Sequence, residues 1–436
     1  MLAVRHARIL LAAAALAAGL PVAISLAQPA PGGAPAAAPA GAADNAAGRG
    51  RGGRGNQPAA DSKRSEGDRA LVNPYSVNTG WYTMPKGRFL GGASAIAIDK
   101  DGTSVWIAER CGGWDLCAGS HVNPVIRFNA AGKITAQLGA DMISYPHGLD
   151  IDRDGNVWVT DLQSNIDNAA RAGRGNFPNP APGSVKTPAG AQVLKFTPQG
   201  RLLLRIGVPG VYGKDQTHLS QPSDVVVSPV TGEVFVSDVH DTQPANNRIV
   251  VFDKNGKYLR EWPCDPGARG LDCSHGISMD SHGNIFSANR AAGTVDVFDP
   301  NGKVLHRWPQ FGRATGVYVD KNDILYVSDS GSGAGSGFLR GIHIGSAETG
   351  IVTTFVPDPW GQPSPDNAMR GTSSPEGVTA DKNGVVYAAG VTPAGIARYT
   401  IQHNVPWSNA QGRGPGSPGG PPVDSPVPTV APPAGQ

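Results

Sequence analysis

His147-Gly-Leu-Asp-Ile-Asp152 is followed by the turn residues Asp154-Gly155 and then by Val157-Trp-Val-Thr160, and this succession decides the fold. Alternating apolar and polar residues on both sides of an Asp-Gly pair predict two antiparallel strands joined by a tight hairpin, because Asp and Gly tolerate positive φ at low steric cost. Two further apolar runs complete the unit: Gln192-Val-Leu-Lys-Phe196 and, across the Pro198-Gln-Gly200 turn, Leu202-Leu-Leu-Arg-Ile206. One unit thus predicts four antiparallel strands.

The opening run recurs as Ser94-Ala-Ile-Ala-Ile-Asp99, Ser223-Asp-Val-Val-Val-Ser228, His275-Gly-Ile-Ser-Met-Asp280, Thr315-Gly-Val-Tyr-Val-Asp320 and Glu376-Gly-Val-Thr-Ala-Asp381. The copies lie roughly 40 to 75 residues apart, a spacing of propeller blades built from short strands. The outer turn also repeats, at Phe128-Asn-Ala-Ala-Gly132, Phe252-Asp-Lys-Asn-Gly256 and Phe298-Asp-Pro-Asn-Gly302. A sheet this narrow cannot bury both faces alone, so its neighbours must stack on it, and radial stacking protects most strand edges. Six units predict an all-β, six-bladed propeller. After Ala397-Arg-Tyr-Thr-Ile401 the chain reaches Pro406 without a fourth run, so an N-terminal strand, expected within residues 81–90, is assigned to close the last blade.

With 59 Gly and 38 Pro among 436 residues the chain is rich in turns, as such a fold requires. The formal net charge is only +2, and part of the basic excess lies in Arg49, Arg51 and Arg54 of a Gly-rich stretch, so no nucleic-acid partner is expected. Arg5, His6 and Arg8, the apolar residues 9–20 and the small-residue site Ser25-Leu26-Ala27 read as a secretory signal over residues 1–27. The apolar stretch is short of the ~20 residues a span needs, so no stable membrane span is expected. Residues 28–70, made largely of Ala, Pro, Gly and Arg, form a disordered linker; residues 71–408 form the propeller; residues 409–436 form a disordered Pro/Gly-rich tail. The product is read as a secreted or periplasmic monomer. Cys111 lies near Cys117 and Cys264 near Cys273; four cysteines allow three pairings, and an oxidising compartment favours the two local ones.

The residue entering each innermost strand lies at one mouth of a propeller's central channel. Around the ring these residues are Ser94, His147, Ser223, His275, Thr315 and Glu376. The three able to bind a transition metal, His147, His275 and Glu376, stand on alternate blades, and two imidazoles with a carboxylate suit catalytic Zn(II) or non-haem Fe(II). A second ring closes the following strand at Glu109, Asp161, Asp238, Asn289, Asp329 and Gly390, where the acidic or amide side chain is expected to cap backbone N–H groups of the next turn. Arg110 and Arg290 follow this ring on opposite blades and suit a substrate carboxylate, which guanidinium grips bidentately. His240 is a candidate base, since imidazole titrates in the useful range.

Tyr145-Pro-His-Gly-Leu-Asp-Ile-Asp-Arg-Asp-Gly-Asn-Val-Trp-Val-Thr-Asp161, Asp215-Gln-Thr-His-Leu-Ser-Gln-Pro-Ser-Asp-Val-Val-Val227 and Gly232-Glu-Val-Phe-Val-Ser-Asp238 resemble the peptidyl-α-hydroxyglycine α-amidating lyase family, with weaker matches around Ser274-His-Gly276 and Asn289-Arg290. The resemblance covers about residues 90–401 and outside the second and third blades is generic NHL-repeat grammar. It implies a six-bladed propeller of NHL-type repeats with a zinc site. His147 and His275 fall on two of the family's three zinc histidines and Glu376 on the third; Arg110 and Arg290 fall on its active-site arginines; its catalytic tyrosine aligns near His240. The family's calcium is held by an Asp beside the third histidine, where this chain has Gly377, so structural Ca(II) is not expected.

The function expected from this resemblance is a metal-dependent lyase. It would split the N–Cα bond of a small-molecule or peptide-derived carbinolamide bearing a carboxylate, giving an amide and glyoxylate. The alternatives are a metal-dependent lactonase or esterase, and a non-catalytic NHL-repeat scaffold of the cell envelope.

Overall fold

Each of the six repeats forms a four-stranded antiparallel sheet. In the second these strands are Pro146–Ile151, Val157–Asp161, Gln192–Phe196 and Leu202–Ile206, in the order the sequence pattern predicts. The computed structural model describes residues 68–113, 117, 120–163, 188–240, 246–265, 273–333, 336–360 and 374–402, all within one unit, Asn56–Gln436. The signal region, most of the linker and the C-terminal tail lie outside the described residues.

In the blades whose opening run ends in Asp, that Asp holds the hairpin. Asp152 Oδ1 accepts from the backbone N–H groups of Asp154 and Asn156 at 3.0 and 2.9 Å, and Asp280, Asp320 and Asp381 repeat the pattern. The turn that follows needs positive φ, which Gly155, at +88°, adopts without a Cβ penalty.

The inner strands Ala93–Ile98, Pro146–Ile151, Pro222–Val227, Ile277–Met279, Ala314–Val319 and Gly377–Ala380 pack each against the next, and the sixth against the first. Six apolar clusters fill the wedges between neighbouring sheets. One wedge joins Trp106 and Ala108 to Leu149 and Phe196, and another joins Ala93 and Ile107 to Tyr387 and Ile396. Each fully buried Val or Phe in such a wedge contributes roughly 1.5–3 kcal/mol. Stability therefore lives between repeats rather than within them. The Gly after the ring residue permits this approach: a Cβ at Gly276 would lie 2.9 Å from the Thr315 carbonyl, and one at Gly377 2.8 Å from that of Ser94.

The outer strand of the sixth sheet is Tyr75–Asn78, paired antiparallel with Gly395–Ile401. This corrects the expectation of residues 81–90. Those residues are apolar for another reason: Trp81, Tyr82, Met84 and Leu90 cover the wedge between blades six and one, and Thr83 N–H donates to the Gly132 carbonyl at 2.9 Å. Upstream, Asp68 is buried against blade five, where its carboxylate meets His343 Nε2 at 3.0 Å and accepts from Leu339 N–H.

Candidate metal centre

The ring residues project inward because the inner strands depart from regular pairing where those residues stand. Register slips between Ala93 and Ala95, Pro146 and Leu149, Pro222 and Asp224, and Ala314 and Gly316. A bulge turns its extra residue out of the sheet's strict alternation. In blades four and six the ring residue stands just ahead of the strand and is fixed by its own N–H, His275 to the Ala288 carbonyl at 2.9 Å and Glu376 to that of Ala389 at 2.7 Å.

His147, His275 and Glu376 meet, as their alternation predicts. Their carboxylate–imidazole separations, Glu376 Oε1 to the Nε2 atoms, are 3.5 Å for His147 and 3.8 Å for His275. His147 Nδ1 donates to the Ser223 carbonyl at 2.7 Å and His275 Nδ1 to the Thr315 carbonyl at 3.0 Å. A carbonyl can only accept, so Nδ1 carries the proton in both rings and Nε2 presents a lone pair to the centre.

His240, two residues beyond the strand Val234–Asp238, enters the same cluster: its Nε2 is 3.2 Å from His147 Nε2, and the ligand atoms of His147, His240 and His275 all lie within 4.8 Å of one another. All three imidazoles are buried. His275 Nε2 is buried with no hydrogen-bond partner among the described residues.

Burial pushes both ring histidines well below the usual imidazole range. For His147 the positive fields of His240, Arg110 and Arg290 add to burial, and for His275 those of Arg290, His147 and His240. With both rings neutral, their approaches to Glu376 are not ion pairs. Neutral imidazole is the form that binds a metal, so protonation state, tautomer and the unpartnered nitrogen all fit a cation at this point.

The residues of the odd blades hold the donors in place. Ser94 Oγ donates to the His147 carbonyl at 2.9 Å, Ser223 Oγ to the Ser274 carbonyl at 3.1 Å, and Ser328 Oγ to the Glu376 carbonyl at 2.6 Å. The second ring does more than cap the turn that follows it. Asp161 accepts from the N–H groups of Ser144 and Tyr145, at 2.9 and 2.7 Å, just upstream of His147, and Asp238 accepts from those of Ser220 and Gln221, upstream of Ser223. Glu109 and Asp329 bind residues on both sides, Gly91 with Gly112 and Arg313 with Ser332. Burial pushes the Asp161 carboxyl up to about 6, and its hydrogen bonds oppose that rise.

Arg110 is buried, with its guanidinium 4.3 Å from the centre of the Tyr145 ring, and Tyr145 in turn lies near-parallel to the His147 ring at 6.3 Å. Arg290 is part-exposed, and its carbonyl accepts from Arg313 Nε at 3.3 Å. The positive charges of both arginines help to hold the His147 imidazole below its usual range. Tyr145 and Arg313 carry no signal in the ring pattern; each lies two residues ahead of a ring residue, His147 and Thr315. Cys111 is bonded to Cys117 and Cys264 to Cys273. Cys117 N–H donates to the Ser144 carbonyl at 2.7 Å, so the first disulfide braces the segment leading to His147. The channel below encloses about 440 Å³, lined by His147, His275 and Glu376 together with Asp150, Asp224 and Tyr318.

No family model matches the chain. It is 27% identical over 269 residues to peptidyl-glycine alpha-amidating monooxygenase A of Xenopus laevis, covering 59% of this chain and 25% of that protein. It is 29% identical over 209 residues to peptidyl-alpha-hydroxyglycine alpha-amidating lyase 2 of Drosophila melanogaster, covering 44% of this chain and 43% of that protein. The chain thus spans less than half the length of these curated relatives. Among solved structures, virginiamycin B lyase from Staphylococcus aureus aligns at 15% identity with a TM-score of 0.43, over 75% of this chain and 99% of that one. The chain is a six-bladed propeller similar in sequence to proteins named as peptidyl-α-hydroxyglycine α-amidating lyases, the resemblance its motifs carry.

Proposed function

We propose that the chain is an exported, metal-dependent lyase that breaks the N–Cα bond of a carbinolamide bearing a carboxylate, releasing an amide and glyoxylate. The observation that carries this reading is the buried His275 Nε2, which lacks a hydrogen-bond partner among the described residues and lies in a cluster with His147 and Glu376. Zn(II), or alternatively Fe(II), would be held by His147 and His275 with a further donor from Glu376 or His240, and would supply Lewis acidity toward the substrate hydroxyl.

The chain's own residues do the rest. Arg110 and Arg290 bind the carboxylate, and Tyr145 fixes the Arg110 guanidinium from one face. Glu376 and His240 are the groups assigned to take the hydroxyl proton. As that proton leaves, the O–H electron pair becomes the second bond of the glyoxylate carbonyl. The N–Cα bond then breaks and the amide nitrogen regains a proton.

The two disulfides support an oxidising compartment, and among the described residues no helix is long and apolar enough to cross a membrane. The test is glyoxylate release from an α-hydroxyglycine-extended peptide by the zinc-loaded full chain. Release that disappears with a chelator supports the reading. A zinc-loaded chain that opens lactones or esters and releases no glyoxylate overturns it.

A further inference from the structure

Four potential donors crowd a point that a catalytic metal fills with only three. Resting on the metal-dependent reading above, we propose that His240 is the third protein ligand of this centre. Glu376, the remaining donor beside these three imidazoles, would then be the group that takes the proton of the substrate hydroxyl.

The separations admit all four donors to one centre. Two ligands at 2.0–2.1 Å from a tetrahedral zinc lie roughly 3.3–3.4 Å apart. His147 and His240 present their Nε2 atoms to each other at 3.2 Å and Glu376 Oε1 stands 3.5 and 3.8 Å from its two imidazoles, all close to that spacing, and the donor atoms of the three histidines lie within 4.8 Å of one another. A hydrogen bond from His240 Nε2–H to His147 would account for the first contact alone. It would leave His275 Nε2, buried and aimed at the same cluster, with nothing to bind. A cation shared by the three nitrogens accounts for all of them.

The support of His240 favours a fixed ligand. It lies two residues past Asp238, whose carboxylate accepts from the N–H groups of Ser220 and Gln221 and from the side chains of Asn246 and Arg248. That anchorage fixes the backbone leading to His240.

Three imidazoles and a carboxylate would complete a closed, four-coordinate set, the structural kind of zinc site; a catalytic one keeps a position for substrate. Of the four donors, the carboxylate is the one that has a second use when left unbound, since it is then a base within reach of the hydroxyl proton. The reaction stays balanced: Glu376 takes the O–H proton, the N–Cα bond breaks as the carbonyl forms, and the protonated Glu376 returns the proton to the amide nitrogen.

The deciding experiment measures metal affinity rather than turnover. The full chain and its His240→Ala and Glu376→Gln variants are stripped, titrated with zinc against a chromogenic chelator, and loaded with Co(II) for visible spectra. The inference expects His240→Ala to weaken zinc binding by more than about 100-fold, beyond the 10–100-fold that loss of an outer partner costs. It expects Glu376→Gln to keep one ion per chain, bound within about tenfold of wild type, with a changed cobalt spectrum and lost glyoxylate release. A His240→Asn variant and the Glu376→Gln spectrum give the same decision if the alanine variant does not fold. Wild-type affinity in both His240 variants, or loss of the ion in Glu376→Gln, overturns the inference while leaving the metal-dependent reading intact. A wild-type chain that binds no ion sinks that reading and the inference together.

Discussion

The even and odd blades of this propeller share a backbone plan and differ at one side chain. In blades two, four and six the ring residue is His147, His275 or Glu376, each pointing a donor atom at a common centre. In blades one, three and five it is Ser94, Ser223 or Thr315, and these turn to their neighbours instead. Ser94 Oγ reaches the His147 carbonyl, the Ser223 and Thr315 carbonyls take the Nδ1 protons of His147 and His275, and Ser223 Oγ reaches the Ser274 carbonyl. One set supplies the donors of the proposed chemistry and the other fixes their tautomer and aim. Alternation matters physically because each of the two histidines then has a holder on either side.

Breaking the donor set should have the largest consequence. His147→Ala combined with His275→Ala is expected to lower glyoxylate release by about 10³-fold or more, the scale of losing a preorganised charge-stabilising group, with circular dichroism unchanged. Next comes the clamp that aims a donor. Asp161→Ala strips acceptors from the N–H groups of Ser144, Tyr145 and Gly190, and should cost roughly 3 kcal/mol in a denaturant melt, since one buried unsatisfied donor costs about 1–3 kcal/mol.

Acid should expose the donors in the metal-free protein. Both ring histidines sit well below the usual imidazole range, so below about pH 6.5 the unfolded rings take up protons that the folded ones refuse. Stability is therefore lost as pH falls, by up to about 1.4 kcal/mol per pH unit for each ring. In chelator, the melting temperature of wild type should drop more between pH 7 and pH 5 than that of His147→Gln/His275→Gln. Asp224 and Asp358, pushed by burial up to about 7, act in the opposite sense, since they lose stability as pH rises toward that value; they are common to both proteins and cancel in the difference. The smallest effect belongs to a holder. Ser223→Ala removes the hydroxyl bonds to the Ser274 carbonyl and Ser237, and should cost about 1 kcal/mol while retaining the metal.

The blades and the alternate donors were legible because both are written in a repeat. An apolar run ending in Asp and a Gly-bearing turn fixes two strands and the position of the ring residue at the head of the first, whatever residue stands there. His240 could be named from the sequence but not placed, because it lies off that template, two residues beyond Asp238, and only the convergence of three blades brings its Nε2 to His147. The last strand of the sixth sheet was misassigned for a related reason. Tyr75-Ser-Val-Asn78 is four residues with little alternation, while the more apolar residues 81–90 owe their composition to covering a wedge. Tyr145 has no place in the ring template, and only its position between Arg110 and His147 gives it a task.

The central claim is that the even blades of one mouth bind a single metal ion. Equilibrium titration of the stripped full chain with zinc tests it most directly, alongside His147→Ala/His275→Ala and Ser94→Ala. The account predicts one ion per chain for wild type and Ser94→Ala, and none for the double histidine variant. An ion retained by that variant, or none bound by wild type, would contradict it.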